Sequence, residues 1–439
     1  MCAIIGVFNA HKAAELTLIG LHLNQHRATD YAGIASTDGK NLFREQGKGI
    51  ARNVFMTEML DRLHGQSAIG HIRYPTVGDD PTRNNIQPIS GRYGGRDIAI
   101  AHNGNITNIS ELKTLVPGPM ATSMDTEYIL RLLEAKFTGD IINDLVAVMR
   151  LLKGSCSLLV MTPDKLIAAR DASGNRPLSI GQAGDSFFAS SEDCAFPNLG
   201  ATHLRDVESG MIVWFDERGM HERRFAEADE HRCVFEHVYY AHPASRVFGL
   251  PNDEYRYRVG QELERLFPVK ADYVTPIPDS SNFYAKGFAA SGRSGKDWQL
   301  IFRSHYGSRS FIKPTQALRD TEVRLKFTFI ASKIRGSRIV VIDDSIVRNT
   351  TLPKIVQMCR SIGALEVHAR IAYPPFRRRC IYGLHTPTDA ELIASHCSVE
   401  EIRKQANADT LEFLPYEVLR DLLPDPKHNC FACADGKYW

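Results

Sequence analysis

Residues 340–352 read "VVIDDSIVRNTTL". Val340, Val341 and Ile342 form a short apolar, β-branched run of the kind that fills a buried strand. The run ends in two adjacent acids, Asp343 and Asp344, and passes through a loop rich in hydroxyls. It then opens into "LPKIVQMCRSIG", residues 352–363, whose period predicts a helix. A strand, a tight loop and a helix start in that order offer unpaired N–H groups and the positive end of a helix dipole, which suits an anion. Thr350 and Thr351 add donors, and the carboxylates stand where sugar hydroxyls or a sugar-bound metal could meet them. The bland alternative is a strand end whose acids cap the next helix; two consecutive acids followed by hydroxyls count against it. The loop carries Asn349 near its apex and no glycine. Asparagine is the side chain that best tolerates a left-handed backbone.

Outward from this loop, strands alternate with helices: "DYVTPIP", "NFYAKGFAAS", the acid-bearing strand, the 352–363 helix and "EVHARIAY". Such alternation predicts a parallel α/β sheet with ligands at the carboxyl ends of its strands. The preceding residues read differently. Short β-rich runs ("AIIGVF", "SAIGHIRY", "DIAIAHNG", "CSLLVM", "KLIAARD", "SFFASS") are separated by Gly, Asn and Asp turns. Helical patterns come in blocks, at "KAAELTLIGLHLNQHR", "DTEYILRLLEAKF" and "INDLVAVMRLL". Two layered sheets covered by helices are predicted there. The change falls in the charged stretch "RRFAEADEHRC", which divides the 439 residues into domains 2–230 and 231–439.

Composition narrows the function classes. A net charge of +2 argues against a general nucleic-acid or membrane-surface role, and the short basic run "FRRRC" reads as a solvated turn. No apolar run reaches the ~20 residues of a membrane span, and the start lacks a secretory pattern, so a cytoplasmic location is expected. In a reducing compartment the nine cysteines are thiols, metal ligands or nucleophiles rather than disulfides. Cys156, Cys194, Cys359 and Cys397 stand singly as core or surface thiols.

Cys2 follows the initiator methionine. Removal of Met1 would leave it a free α-amine, titrating near ~7.7–8.0 and able to serve as base for its own thiol. Taken alone, Cys2 is equally a small hydrophobe leading a buried strand. Arg73 in "GHIRYPT" ends a strand where it could fork onto a carboxylate. Asn103 and Gly104 in "AHNGN" suit a turn, or an amide and an N–H aimed at an oxyanion. Asp125 in "TSMDTEYIL" starts a helix, where an acid commonly caps.

Together with "NQHRATDYAGIAS", these motifs resemble the class II glutamine amidotransferase domain, an N-terminal-nucleophile glutaminase with an αββα sandwich fold. The resemblance implies that Cys2 attacks the glutamine amide and that Asn103 and Gly104 hold the oxyanion. It also implies that Arg73 grips the substrate carboxylate and Asp125 its amino group. The family has glycine where this chain has Ala28. If that backbone needs a positive φ or a close approach, Ala28 costs about 1 kcal/mol, and glutaminase activity is reduced or differently gated.

"RIVVIDDSIVRNTTL" resembles the phosphoribosyl pyrophosphate motif of type I phosphoribosyltransferases, whose loop has glycine at Asn349. Asp343, Asp344, Arg348, Asn349, Thr350 and Thr351 are the implied ligands of that substrate. "PDS" adds Ser280, which with Asp343 and Asp344 is implied to hold Mg²⁺. "HYGSRSFIKPTQALRD" resembles a lid containing Tyr306, Arg309 and Lys313, and "VRLKF" places Lys326 near the leaving pyrophosphate. A glutaminase followed by this domain is similar over nearly the whole chain to the amidophosphoribosyltransferase family. That resemblance implies ammonia transfer from glutamine to ribose C1, giving 5-phosphoribosylamine at the entry to purine synthesis. A homo-oligomer, tetramer or dimer, inhibited by purine nucleotides is also implied, with no nucleic-acid or membrane partner.

By themselves, Cys430 and Cys433 in "NCFACADG" could be a redox pair, a zinc half-site or chance. One subgroup of the family holds a [4Fe–4S] cluster at the places of Cys233, Cys380, Cys430 and Cys433, and the resemblance implies one here as a structural group. Two other readings remain open to the sequence. One is a diverged paralogue using free ammonia or another acceptor, motivated by Ala28 and Asn349. The other is a non-catalytic ribose-phosphate-sensing regulator, against which the retained Cys2, Asn103, Asp125, Asp343 and Asp344 count. Neither a Ser-Gly-Gly-x-Asp-Ser adenylating loop nor a tandem sugar-isomerase repeat is present.

Overall fold

The computed structural model describes residues 1–74, 85–116, 118–304, 326–384, 386 and 388–439. The first half contains strands β1 Ala3–Phe8, β2 Tyr31–Thr37, β3 Leu42–Lys48, β4 Ser67–Arg73, β5 Ile89–Tyr93, β6 Arg96–Ile106 and β7 Gly154–Met161. They are followed by β8 Leu166–Arg170, β9 Ser179–Ala183, β10 Ser186–Ser190, β11 Thr202–Asp206, β12 Met211–Asp216 and β13 Gly219–Arg224. One sheet runs in the order β11-β9-β10-β1-β4-β2-β3, the other β13-β12-β8-β7-β6-β5.

The sheets pack face to face, and side-chain alternation explains the unbroken apolar runs. On β1, Ile4 joins Ile69, Ala101, Leu159 and Leu166 between the sheets. Its neighbours Ile5 and Val7 point the other way, onto Ala14 and Leu21 of helix Ala13–Leu23. On β6, Ala99 and Ala101 face inward, whereas Ile98 and Ile100 meet Leu132, Leu133 and Leu145 of helices Thr126–Ala135 and Ile141–Met149. Both strands are therefore covered on both faces, as the αββα expectation requires.

The second half carries a parallel sheet. Its strands lie in the order Lys296–Asp297, Tyr273–Pro276, Arg338–Asp343, Glu366–Ile371 and Thr410–Phe413. Val340 and Ile342 face one core, Ile339 and Val341 the other. The acid-bearing strand is thus central, and its carboxyl end opens at the middle of the sheet edge, where ligands of such sheets bind. No helix among the described residues is long and apolar enough to cross a membrane.

Ala28 is fully buried in the core beneath helix Ala13–Leu23. It is not among the left-handed non-glycine residues, which are Asn9, Lys12, Phe248, Asn349 and Asn407. A left-handed backbone, one of the two conditions under which alanine would be costly there, is absent at Ala28. Asn349, with φ 53°, takes the left-handed conformation expected of it.

Helix Asn252–Leu266 crosses helix Asn282–Ala289 through two glycines. A Cβ on Gly260 would lie 2.1 Å from the Tyr284 carbonyl, and one on Gly287 1.9 Å from that of Tyr257. Backbone, not a flexible side chain, blocks both positions. Gly260→Ala is expected to destabilise the chain by about 1–3 kcal/mol, read as a lowered thermal midpoint; an unchanged midpoint would show that the helices separate freely.

Candidate functional site

Pleat parity brings the first set of residues together. Inward-facing Ile4, Ile69 and Ala101 lie between the sheets. Counting in twos from them puts Cys2, Arg73 and Asn103 on the same inner face, at one end of the sandwich. The pairing of Ala3 with Ile72 sets Cys2 beside Arg73. His71 Nε2, 3.1 Å from the His102 carbonyl oxygen, ties β4 to β6 just behind them. Asn103 is 1 % exposed, and its side-chain Nδ2 is buried with no hydrogen-bond partner, a donor held ready for an acceptor. Gly104 is required sterically, because a Cβ there would sit 2.0 Å from the Ser155 carbonyl oxygen.

Asp125 stands at the N-cap of helix Thr126–Ala135, yet its side chain makes no cap hydrogen bond to that helix. It reaches across instead: Oδ2 accepts from the Ile106 N–H at 2.9 Å, and Oδ1 lies 3.5 Å from His102 Nδ1. Burial opposes its charge, but His102 and the Ile106 N–H outweigh burial and hold the carboxyl below its ordinary value.

Behind Cys2 lies a buried ion network that sequence reasoning missed. Arg27 Nε donates to the Cys2 carbonyl at 2.9 Å. Its NH1 donates to Glu192 at 2.6 Å and to Glu236 at 2.8 Å, and NH2 to Glu236 at 2.9 Å. Arg176 NH1 meets Glu236 from the other side at 3.2 Å, and NH2 donates to the Tyr382 carbonyl at 2.7 Å. The four charged side chains are 0 % exposed. With Met1 attached, burial lowers the chain's α-amine to about 5. Arg27 appeared in "NQHRATDYAG", but nothing local announced partners 165 and 209 residues away.

At the second site, Ser280 donates to Asp344 Oδ1 at 2.6 Å, Ser345 to Asp344 Oδ2 at 2.6 Å, and Ser281 to Asp343 Oδ1 at 3.3 Å. Burial first, and then the charge of Asp344, push Asp343 well above the ordinary carboxylate value. Burial also raises Asp344, against hydrogen bonds from Ser280 and Ser345 and the charge of Arg256. From Ser345 to Thr351 no backbone N–H donates a hydrogen bond within the described residues. Both amide atoms of Asn349 are buried and unpartnered. Thr350 is exposed and Thr351 half-buried at the start of helix Leu352–Ile362. The charge of Lys326 faces Asp343, whereas Arg348 turns aside to Glu391 at 3.3 Å. Tyr306, Arg309 and Lys313 lie outside the described residues.

Four thiols gather where the halves meet. The segments Arg232–Cys233 and Asn429–Cys430 pair in parallel, with Cys233 opposite Cys430. Tyr373 Oη lies 2.8 Å from Cys433 Sγ, and the Tyr382 N–H donates to Cys380 Sγ at 3.3 Å. Burial pushes Cys233, Cys430 and Cys433 up, while Arg176 opposes it at Cys233 and Cys430. The residues after Cys380 touch the first site. Asn105 Nδ2 donates to the Ile381 carbonyl at 2.8 Å, and Ser155 Oγ to that of Tyr382 at 2.6 Å.

The acid pair carries a stability cost with a definite pH dependence. A carboxyl whose folded pKa is raised opposes folding increasingly as pH climbs from ~4 through the folded value. Asp344→Asn should therefore raise the thermal midpoint of the ligand-free chain more at pH 7 than at pH 4, by about 2–4 °C per kcal/mol relieved. An equal gain at both pH values would contradict this.

Residues 71–198 match the family model described as glutamine amidotransferase domain. The chain is 39 % identical over 448 residues to an amidophosphoribosyltransferase of Bacillus subtilis (strain 168), covering 100 % of this chain and 94 % of that one. It is 38 % identical over 462 residues to an amidophosphoribosyltransferase of Methanocaldococcus jannaschii, covering 100 % and 97 %. Its fold is similar to that of glutamine phosphoribosylpyrophosphate amidotransferase from B. subtilis complexed with ADP and GMP, with TM-score 0.93 and 38 % identity over 100 % and 97 % of the two chains. With glutaminase and sugar-phosphate geometries in one polypeptide and relatives matched along its full length, the chain belongs to the amidophosphoribosyltransferase family.

Proposed function

We propose that residues 2–230 release ammonia from glutamine and residues 231–439 add it to C1 of 5-phosphoribosyl 1-pyrophosphate. The chain is a glutamine-dependent transferase of purine biosynthesis by its family. The observation that most supports the residue assignment is the N–H-lined loop after Asp343–Asp344, in the same chain as Cys2 and the unpartnered Asn103 amide.

In this reading Met1 is removed, and the α-amine of Cys2 takes the thiol proton as sulfur attacks the glutamine amide carbon. Asn103 Nδ2 and the Gly104 N–H receive the oxyanion. Arg73 holds the substrate carboxylate and Asp125, kept ionised beside His102, its ammonium. Collapse expels ammonia and leaves a thioester, which water cleaves to glutamate. At the second site the N–H groups of residues 345–351, with Thr350 and Thr351, hold the 5-phosphate, and Asp343 and Asp344 the ribose hydroxyls. Arg348 would join them by leaving Glu391, and Lys326 and Tyr306 attend the pyrophosphate. Mg²⁺, held by Ser280, Asp343 and Asp344, would neutralise the pyrophosphate charge. As the C1–oxygen bond breaks, ammonia attacks C1 from the opposite face. An enclosed passage keeps ammonia unprotonated.

Four thiolates are the normal ligand set of a [4Fe–4S] cluster, and such a group at Cys233, Cys380, Cys430 and Cys433 would clamp the tail to the chain beside Cys233. Free thiols of this kind suit a cytoplasmic setting. Homo-oligomerisation and feedback by purine nucleotides complete the proposal. The paralogue reading gains no support from the backbone, since Ala28 is not left-handed and Asn349 takes the left-handed angle that asparagine tolerates.

Cys2→Ala should abolish glutamine-dependent pyrophosphate release and spare release driven by ammonia; loss of both would sink the two-site assignment. Anaerobically purified chain should show the visible absorption of an iron–sulfur cluster, bleached by air with a fall in thermal midpoint. A stoichiometric zinc content without that absorption would refute the cluster.

A further inference from the structure

Around the four cysteines stand buried donors that neutral thiols do not need. Tyr373, fully buried two residues beyond strand Glu366–Ile371, brings Oη to 2.8 Å from Cys433 Sγ. A metal-bound sulfur has no proton to give, so in a loaded site the phenol is the donor. The Tyr382 N–H donates to Cys380 Sγ at 3.3 Å, and the carbonyl of the same Tyr382 accepts from Arg176 NH2 at 2.7 Å. Next to Arg176, the Asn175 carbonyl accepts the Cys233 N–H at 3.2 Å. The guanidinium is therefore fixed by backbone that is itself bonded to two of the cysteines.

Arg176 is 0 % exposed and only partly satisfied. NH1 meets Glu236, the first residue of the helical turn Glu236–Tyr240 that Ala241 follows, and NH2 meets Tyr382. Nε is buried with no hydrogen-bond partner. A buried donor without an acceptor is costly, and more so on a charged group, which points to an acceptor that completes the fork. The charge of Arg176 acts on three of the sulfurs, those of Cys233, Cys380 and Cys430. Four thiols kept neutral by burial need neither a cation nor a phenol beside them. Four buried thiolates need both, because charge taken out of water must be paired and hydrogen-bonded. The orphaned Nε–H thus fits an anionic group held by the four sulfurs.

We infer that Arg176 and Tyr373 hold the negative charge of the group bound by the four cysteines, Arg176 through its free Nε–H and Tyr373 through its hydroxyl on Cys433. The inference rests on the cluster assignment above and extends it from the ligands to the residues that balance their charge. Neither residue is a ligand. Hydrogen bonds and positive charge at the sulfurs of an iron–sulfur group favour its more reduced state and strengthen its retention.

The test uses the anaerobically purified full chain and measures the midpoint reduction potential of the cluster and its loss of iron to a chelator. Tyr373→Phe removes one hydroxyl and keeps the ring against Phe235 and Phe376. Arg176→Lys keeps the charge and removes Nε. Both variants should show the visible absorption of the native chain, a lower potential, and iron held about 10–100-fold less tightly. Phe376→Leu disturbs packing beside the same ring without removing a donor, and it should keep the native potential. A native potential in Tyr373→Phe or in folded Arg176→Lys would overturn the inference, as would an equal fall in Phe376→Leu. Should Arg176→Lys fail to fold, Tyr373→Phe decides alone. A native chain holding zinc, or no metal, would overturn the inference together with the cluster assignment, and that result is distinguishable because it appears before any variant is compared.

Discussion

One buried carboxylate organises the molecule. Glu236 has no contact with water and is shared between Arg27 and Arg176, which also hold the carbonyls of Cys2 and Tyr382. Charges taken out of water are tolerable only when paired and fully hydrogen-bonded, and removing one member of such a set costs about 3–5 kcal/mol because the rest are left uncompensated. Arg27 and Arg176 come from the first half, Glu236 and Tyr382 from the second. The halves are therefore joined by electrostatics that work only in one registration. That registration sets Cys2, the cysteine-bearing segments and the Glu236–Ala241 turn at once.

The second site balances stability against binding. Asp343 and Asp344 are buried together at a strand end, where burial and mutual repulsion oppose their ionisation. The following loop leaves its N–H groups undonated. These buried carboxylates lie next to N–H donors with no acceptor among the described residues, and in the proposed function a metal-bound sugar phosphate would satisfy both. The chain keeps the serine hydroxyls as provisional partners for the acids.

Much of this was legible in sequence because it depends on local pattern. The strand, acid pair and helix of "VVIDDSIVRNTTL" appear where expected, and Asn349 takes the left-handed backbone that its side chain suggested. The αββα layers follow from runs such as "AIIGVF", in which alternate residues fill two different cores. Ala28 was only a conditional source of strain; its backbone does not take the left-handed angle, and that angle could not be read without the fold. Asp125 was placed correctly at a helix start, but instead of capping the helix backbone its carboxylate reaches the Ile106 N–H and His102 as well as the Thr126 hydroxyl. The ion network was illegible for a simpler reason. Arg27 and Glu236 lie 209 residues apart, and a buried pair at that separation leaves no periodic or local trace.

The central claim is that nitrogen freed at Cys2 is consumed at Asp343–Asp344 within one chain. Its most direct test supplies glutamine labelled with ¹⁵N in the side-chain amide, phosphoribosyl pyrophosphate with Mg²⁺, and excess unlabelled ammonium, and measures the isotope in the phosphoribosylamine formed. Product carrying the glutamine label in spite of the unlabelled pool is the expected result. Product carrying the isotope ratio of the bulk ammonium would contradict the claim.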